Sequence, residues 1–170
     1  MKKLFCIFLV LSCLLGLTAC MQSNEQPEPT VTVFYKRAVP TYGQPDSVIA
    51  ATELLSSGRE NDIPYIIRKY LASTPTDGFV SPFSKEINLI SFKLEGLTAK
   101  VVLSNEIAEL SGMELTIALT CLTQTVMSLT DCEEVIISAN TRRLDGQNFI
   151  TLSRDSYLLV DDSGQLSNKN

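Results

Sequence analysis

The arrangement of apolar and polar positions divides the chain into strands and helices before any single residue is considered. Val31-Thr-Val-Phe-Tyr35 is β-branched and aromatic, which predicts a strand. Pro40, Gly43 and Pro45 then break the chain into a loop. Ser47 to Ser56 reads two ways: its Ala and Leu residues favour helix, while its length and flanks suit a strand. From Asp62 to Ser73 the period changes. Ile63, Ile66, Ile67, Tyr70 and Leu71 fall on one helical face. Pro64 suits the first turn, where a missing N–H costs nothing, and Arg68 and Lys69 suit the negative end of the helix dipole. Pro75 and Gly78 end the helix, and Phe79-Val-Ser-Pro-Phe83 reads as a short apolar loop.

Strict alternation returns at Ile87–Leu94, where Ile90, Phe92 and Leu94 alternate with Ser91, Lys93 and Glu95. Gly96 marks a turn, and Ala99–Leu103 is the hairpin partner. Ser111-Gly-Met-Glu114 has the serine-to-glutamate spacing of a capping box. It opens the longest predicted helix, Gly112 to Thr130, roughly 28 Å long at 1.5 Å per residue. Leu115, Ala118, Leu119, Leu122, Val126 and Leu129 form its apolar stripe. Thr116, Thr120, Thr123 and Thr125 are poor helix formers, so packing must hold this helix. Glu134–Ala139 is a further strand, Asp145-Gly146 a turn, and Phe149–Val160 one or two last strands.

The two ends of the chain are different in kind. Lys2 and Lys3 precede a nearly unbroken apolar run from Leu4 to Leu17, and then Leu17-Thr18-Ala19-Cys20. A positive start, a short apolar core and small residues before a cysteine make a secretory leader with a lipobox. An ordinary leader or an uncleaved anchor is the plainer alternative, but the apolar run falls short of the roughly 20 residues a membrane-spanning helix needs. Residues 1–19 are therefore expected to be removed and Cys20 to be acylated, with palmitate or a similar chain. The protein would then be held on the extracytoplasmic face of a bacterial membrane. Residues 20–30 are polar with prolines and read as a linker, 31–162 as one domain, and Ser163–Asn170 as a polar tail.

Processing changes the charge balance. Taking 19 leader residues from 170 leaves 151, one domain's length, and losing Lys2 and Lys3 takes the formal charge from −5 to −7. So acidic a domain is a poor match for nucleic acid or for an anionic lipid surface. Histidine is absent, which removes Ser-His-Asp and Cys-His catalysis and imidazole metal ligation. Of five cysteines, only Cys121 and Cys132 remain beyond Cys20. A disulfide is open to them in an exported protein, but mid-helix Cys121 and Cys132 beyond the helix end favour two buried thiols.

Motifs that carry chemistry are sparse. There is no Gly-rich phosphate loop, CxxC or HExxH. Glu133-Glu134 and Asp161-Asp162 read as solvated pairs, since adjacent strand residues point to opposite faces. Arg142-Arg143 reads as a solvated turn, and Ser104-Asn105-Glu106 as a hairpin exit. No catalytic, cofactor or metal residue is assigned. Placement of Glu106, Glu109 and Asp131 within metal-binding distance of one another would revive an enzymatic reading.

Between Val31 and Asp161 the order of elements resembles the GerMN domain of sporulation and spore-germination proteins. The residues carrying the likeness are strand Val31–Tyr35, helix Ile63–Leu71, the loop Gly78-Phe-Val-Ser-Pro82, and the strand pair Leu89–Leu94 and Ala99–Leu103 with Ser104. Helix Glu114–Leu129 and strand Val135–Ile137 complete it. Residues 42–60 depart from the family's common pattern. The family has a strand-rich segment there, which tips Val48–Leu55 towards strand. The chain also carries one copy where the best-known members carry two in tandem.

The resemblance implies an α+β fold, a mixed β-sheet with two helices packed on it, similar to the ring-building motifs of secretion systems. It also implies a non-enzymatic assembly or scaffold module in the cell envelope, in sporulation or spore germination. Such a module would be held to the membrane through acylated Cys20 and would contact envelope proteins or further copies of itself. A surface lipoprotein binding a small solute or cell-wall fragment is the rival.

Overall fold

The structure, a computed structural model, describes residues 28–40, 48–154, 158–160 and 166–168, the last two segments by backbone course alone. The leader, Cys20, Asp161-Asp162 and most of the linker and tail lie outside the described residues. Strand β1 (Thr30–Arg37) pairs antiparallel along its whole length with β2 (Ile49–Leu55). The ambiguous segment is thus a strand. Helix α1 (Ile63–Ala72) follows, and β3 (Phe79–Val80) returns to pair with Lys36 and Arg37. The apolar loop expected at 79–83 therefore begins as a two-residue strand, too short to show any alternation.

The second sheet has the order β4-β5-β6-β7, with β4 (Leu89–Glu95), β5 (Thr98–Leu103), β6 (Glu134–Ala139) and β7 (Ile150–Ser153). Its β5–β6 pair is parallel and the others antiparallel, so the sheet is mixed. Gly96, with φ +61, turns β4 into β5 through a two-residue loop. Glycine at the first central position of such a loop adopts the positive φ without a side-chain clash. A 3₁₀ turn (Asn105–Glu109) and helix α2 (Gly112–Leu129) connect β5 to β6. Asp145 and Gly146 both have positive φ and close the tight turn expected there, with paired main-chain bonds between Leu144 and Gln147. Strands β8 (Leu158–Val160) and β9 (Leu166–Asn168) pair with each other. β9 falls inside the stretch read as a polar tail, where a composition poor in apolar residues gave no periodic signal.

This is the expected α+β class, with one refinement: the strands form separate sheets rather than one. Helix α1 lies over β4, whereas α2 packs on β1 and on β6 and β7. One continuous core joins them, including Tyr35, Tyr70, Leu103, Ile107, Leu122, Val135 and Ile137. Because α2 lies between two sheets, it is buried well beyond its leucine stripe. Thr120, Cys121, Thr123 and Thr125 are buried too.

Two hydroxyls of α2 reach outside the helix, Thr125 from a buried position and Ser128 from an exposed one. Among the described residues, the groups of β1 that face away from β2 meet no strand between Thr32 and Phe34. Helix α2 fills that gap. The Phe34 amide donates to Thr125 Oγ1 at 2.9 Å, and Ser128 Oγ donates to the Thr32 carbonyl at 2.7 Å. From α1, the Tyr70 phenol donates to the Phe34 carbonyl at 2.6 Å. Ser56 holds the chain's entry into β1, its amide and hydroxyl both donating to the Pro29 carbonyl at 2.8 Å.

The helix starts differ. Asp62 caps α1, accepting from the Tyr65 amide at 3.1 Å. Ser111 precedes α2, but its side chain makes no cap bond. The expected capping box therefore does not form. Gly112, at the first helical position, has φ +55, which turns the entering chain away from the geometry the box requires.

Replacing Asp62 by Ala is expected to cost about 1 kcal/mol in urea unfolding, and Ser111 by Ala only a few tenths. A second contrast tests the hydroxyl edge. Thr125→Val removes the acceptor of the Phe34 amide and should cost roughly 1–3 kcal/mol. Thr123 Oγ1 is buried without a hydrogen-bond partner among the described residues, so Thr123→Val should be neutral or stabilising. Equal losses at the two threonines would overturn this account of the edge.

Candidate functional site

Among the polar features, three surface regions are built by the two ends and the outer face of the main sheet. At the starts of β5 and β6, the C-terminal end of α2 and the β4–β5 turn border an open groove of about 980 Å³. Its walls include Leu97, Thr130, Asp131, Glu133, Glu134 and Arg154. No basic residue lies in the last turn of α2. Hydroxyls bond two of the late carbonyls instead: Ser128 Oγ to Thr125 O at 2.7 Å and Thr130 Oγ1 to Val126 O at 2.8 Å. With three carboxylates against Arg154, the groove is net negative.

At the opposite end, where β5 and β6 finish, Asn105 joins the β5–β6 crossover to the β6–β7 loop. Its Oδ1 accepts from the amides of Thr141 at 2.9 Å and Arg142 at 3.2 Å, and its Nδ2 donates to Thr141 Oγ1 at 2.9 Å. Ser104 Oγ accepts from the Asn88 amide at 3.0 Å. Glu106 is held below the usual carboxylate range by hydrogen bonds from Ser104 and from its own backbone, with Arg142 adding a small attraction. Arg142 reaches Glu109 at 3.6 Å between exposed side chains, a contact of little energetic weight. What the sequence offered as a hairpin exit is thus a clasp. The clue was an asparagine two positions past a strand, a residue type that bonds nearby backbone.

The third region is the outer face of the β4–β5 hairpin. Glu95 bonds Lys93 and Lys100, each at 2.6 Å. Hydrogen bonds from Lys100 and then Lys93, followed by their charges, lower the Glu95 pKa to about 2.

The sequence candidates otherwise stay apart. Glu106 and Glu109 precede α2 and Asp131 follows it, so the 18-residue helix separates them by about 27 Å. Among the described residues no three Cys, Asp or Glu side chains are grouped to hold a metal. Glu133 and Glu134 are exposed. Cys121 and Cys132 are free and buried, and burial pushes the Cys121 thiol up to about 12. A thiol so protonated is a poor nucleophile. Among the described residues no helix is long and apolar enough to cross a membrane.

No protein-family model and no curated protein matches the chain. Solved structures do match. The tandem GerMN domains of the sporulation protein GerM from Bacillus subtilis superpose with a TM-score of 0.55 at 20% identity, covering 80% of this chain and 49% of that one. The first GerMN domain of the same protein gives a TM-score of 0.53 at 15% identity, covering 71% and 97%. The fold is that of a GerMN domain. A candidate lipoprotein from Clostridium perfringens gives a TM-score of 0.48 at 18% identity, covering 75% and 89%. The chain thus spans about half of the tandem GerMN protein and nearly all of the single GerMN domain.

The charge triad makes a pH prediction. A carboxylate with a lowered folded pKa stabilises above its unfolded value, near 4.5, and that contribution fades as pH falls towards 2. Carboxyl NMR should show Glu95 titrating near pH 2, and Lys100→Ala should move it back towards the ordinary range. Normal titration of Glu95 in the unaltered protein would contradict the triad.

Proposed function

We propose that this GerMN-fold protein is a lipid-anchored, extracytoplasmic assembly or scaffold module of the bacterial cell envelope, without catalysis of its own, acting in sporulation or spore germination. The observation that carries this reading is the correspondence of the domain to one whole GerMN copy of a sporulation protein. The lipobox at Leu17–Cys20 supports the anchoring. One acyl chain holds a protein only marginally, so stable residence implies at least two on the processed cysteine. The interior supports a surface role: the helices pack closely on the sheets, leaving edges, end loops and the outer sheet face for contact.

A second reading draws on the groove beside α2. Its size and its polar walls suit a small solute or cell-wall fragment with cationic groups.

Expressed with its own leader, the chain should incorporate an alkyne-palmitate label, sediment with membranes and be open to external protease. Cys20→Ala should be unlabelled and soluble. Crosslinking in a sporulating host should recover envelope proteins with the unaltered chain. Absence of label would sink the anchor. Recovery of no envelope protein, together with normal sporulation after deletion, would sink the assembly role and leave the solute reading.

A further inference from the structure

Among the described residues the main sheet ends at β4, which pairs with no strand along its far side. Which groups face outward follows from β5. The Leu103 carbonyl accepts from the Asn140 amide just beyond β6, and the Ser104 amide donates to the Asn88 carbonyl on the β4 side. Odd positions of β5 therefore turn their main-chain groups to β6 and even positions to β4. With Glu95 opposite Thr98 and Lys93 opposite Lys100, the outward groups of β4 belong to Phe92 and Leu94. The strand is limited at both ends. The register shifts between Leu89 and Ser91, and the Gly96 turn closes the other end. A short regular edge, residues 92 to 95, remains before the turn.

The side chains of that edge are incomplete on both faces. Leu94 shares the helix-covered face with buried Ala99, yet is 47% exposed. On the outer face Lys93 stands directly opposite Lys100, a like-charge cross-strand pair, with one Glu95 serving both. Like charges directly opposite are destabilising. The position on the other side of Lys93, across the open edge, is where a second carboxylate would balance the row.

We propose that a second copy of this chain occupies the edge, its β4 pairing antiparallel with the first about a two-fold axis through Leu94. That register sets Leu94 against Leu94 of the other copy, and Lys93 against its Glu95 on both sides of the axis. The outer row then runs Lys100, Lys93, the second copy's Glu95 and Thr98. The two leucines cover each other on the helix side, while the Leu94 amides and carbonyls exchange two main-chain bonds. A two-fold contact is self-complementary by construction, and lysine and glutamate flanking the axial residue meet that demand. The open edge of β2 does not. Its one charged residue, Glu53, would face its own copy if the axis ran through it. A contact of about four residues a side is small, so the dimer belongs to the weak class that depends on local concentration.

This pairing gives the assembly reading its first partner and takes its purpose from it, but its test does not pass through any other envelope protein. In the full chain, expressed with its own leader, Leu94→Cys should form an oxidation-dependent dimer. Directly opposed residues of a hydrogen-bonded pair lie about 5.5 Å apart at Cα, within disulfide range. Ala51→Cys on the β2 edge is the control and should stay monomeric.

In the Leu94→Cys background, Lys93→Glu or Glu95→Lys should each cut the dimer yield roughly tenfold, since each sets like charges face to face. Mixing the two variants under different tags should restore a dimer containing one of each. An in-chain role of the triad gives no such restoration. A dimer yield at Leu94→Cys no higher than at Ala51→Cys, or a mixture no better than its components, would overturn the pairing. Failure to recover envelope proteins would leave it untouched.

Discussion

The fold depends on how the inner edge of β1 is satisfied. β1 is hydrogen-bonded to β2 on one side, but on the other, among the described residues, its strand partner is β3 at Lys36 and Arg37 alone. The Phe34 amide and carbonyl are partly buried against the helices, where an unpaired group costs about 1–3 kcal/mol, while the Thr32 carbonyl lies at an exposed part of the edge. Thr125, Ser128 and Tyr70 supply the missing partners. Threonine weakens a helix by less than about 0.7 kcal/mol per residue relative to alanine. The edge therefore gains more from the Thr125 hydroxyl than α2 loses by holding it. Side chains take the place of a strand, and this is how two sheets without a shared ladder form one core.

Behind that edge lies a cluster of neutral groups whose burial keeps them so. Tyr70 is fully buried, stacks 4.9 Å from Tyr35 and meets Phe83 edge-on at 5.6 Å. Desolvation raises the Tyr70 phenol well above its ordinary value and raises Tyr35 as well. Tyr35 Oη bonds Ser73 Oγ and the Tyr70 carbonyl, so the end of α1 is held against β1. Cys121 sits in the same apolar setting, protonated for the same reason. Its inertness follows from position alone and needs no disulfide with Cys132.

Most elements were legible because each carried one period or one punctuating residue. Asp62, Pro64 and the Ile63–Leu71 face marked α1, and alternation marked the β4–β5 hairpin. The missed features all depend on partners remote in sequence. Ser111 and Glu114 have capping-box spacing, but the left-handed Gly112 between them defeats it. Phe79 and Val80 are a strand only because β1 runs past them. The threonines of α2 could be seen to need packing, yet nothing local showed that Thr125 faces an amide 91 positions away. Asn105 was likewise one polar residue until Thr141 and Arg142 were brought to it. The proposed anchoring site was legible as a motif, and it lies outside the described residues.

The molecule treats its sheet edges in two ways, and the difference bears on function. The inner edge of β1 is closed by hydroxyls from α2 and from Tyr70 of α1. β4 has no strand on its far side among the described residues but is shortened, by a register shift at Ile90 and a turn at Gly96, and it carries charges. Short, charged and bulged edges resist indiscriminate pairing, because a sliding neighbour strand finds neither length nor matching charge. The same restrictions make one register far better than its neighbours, since a shift of one residue would set Lys93 against an apolar position and turn the leucines to the outer face. An edge guarded in this way discourages aggregation and still admits one partner in one register. Copies confined to a membrane surface would meet at a raised effective concentration, and a contact too small to persist in dilute solution would persist there.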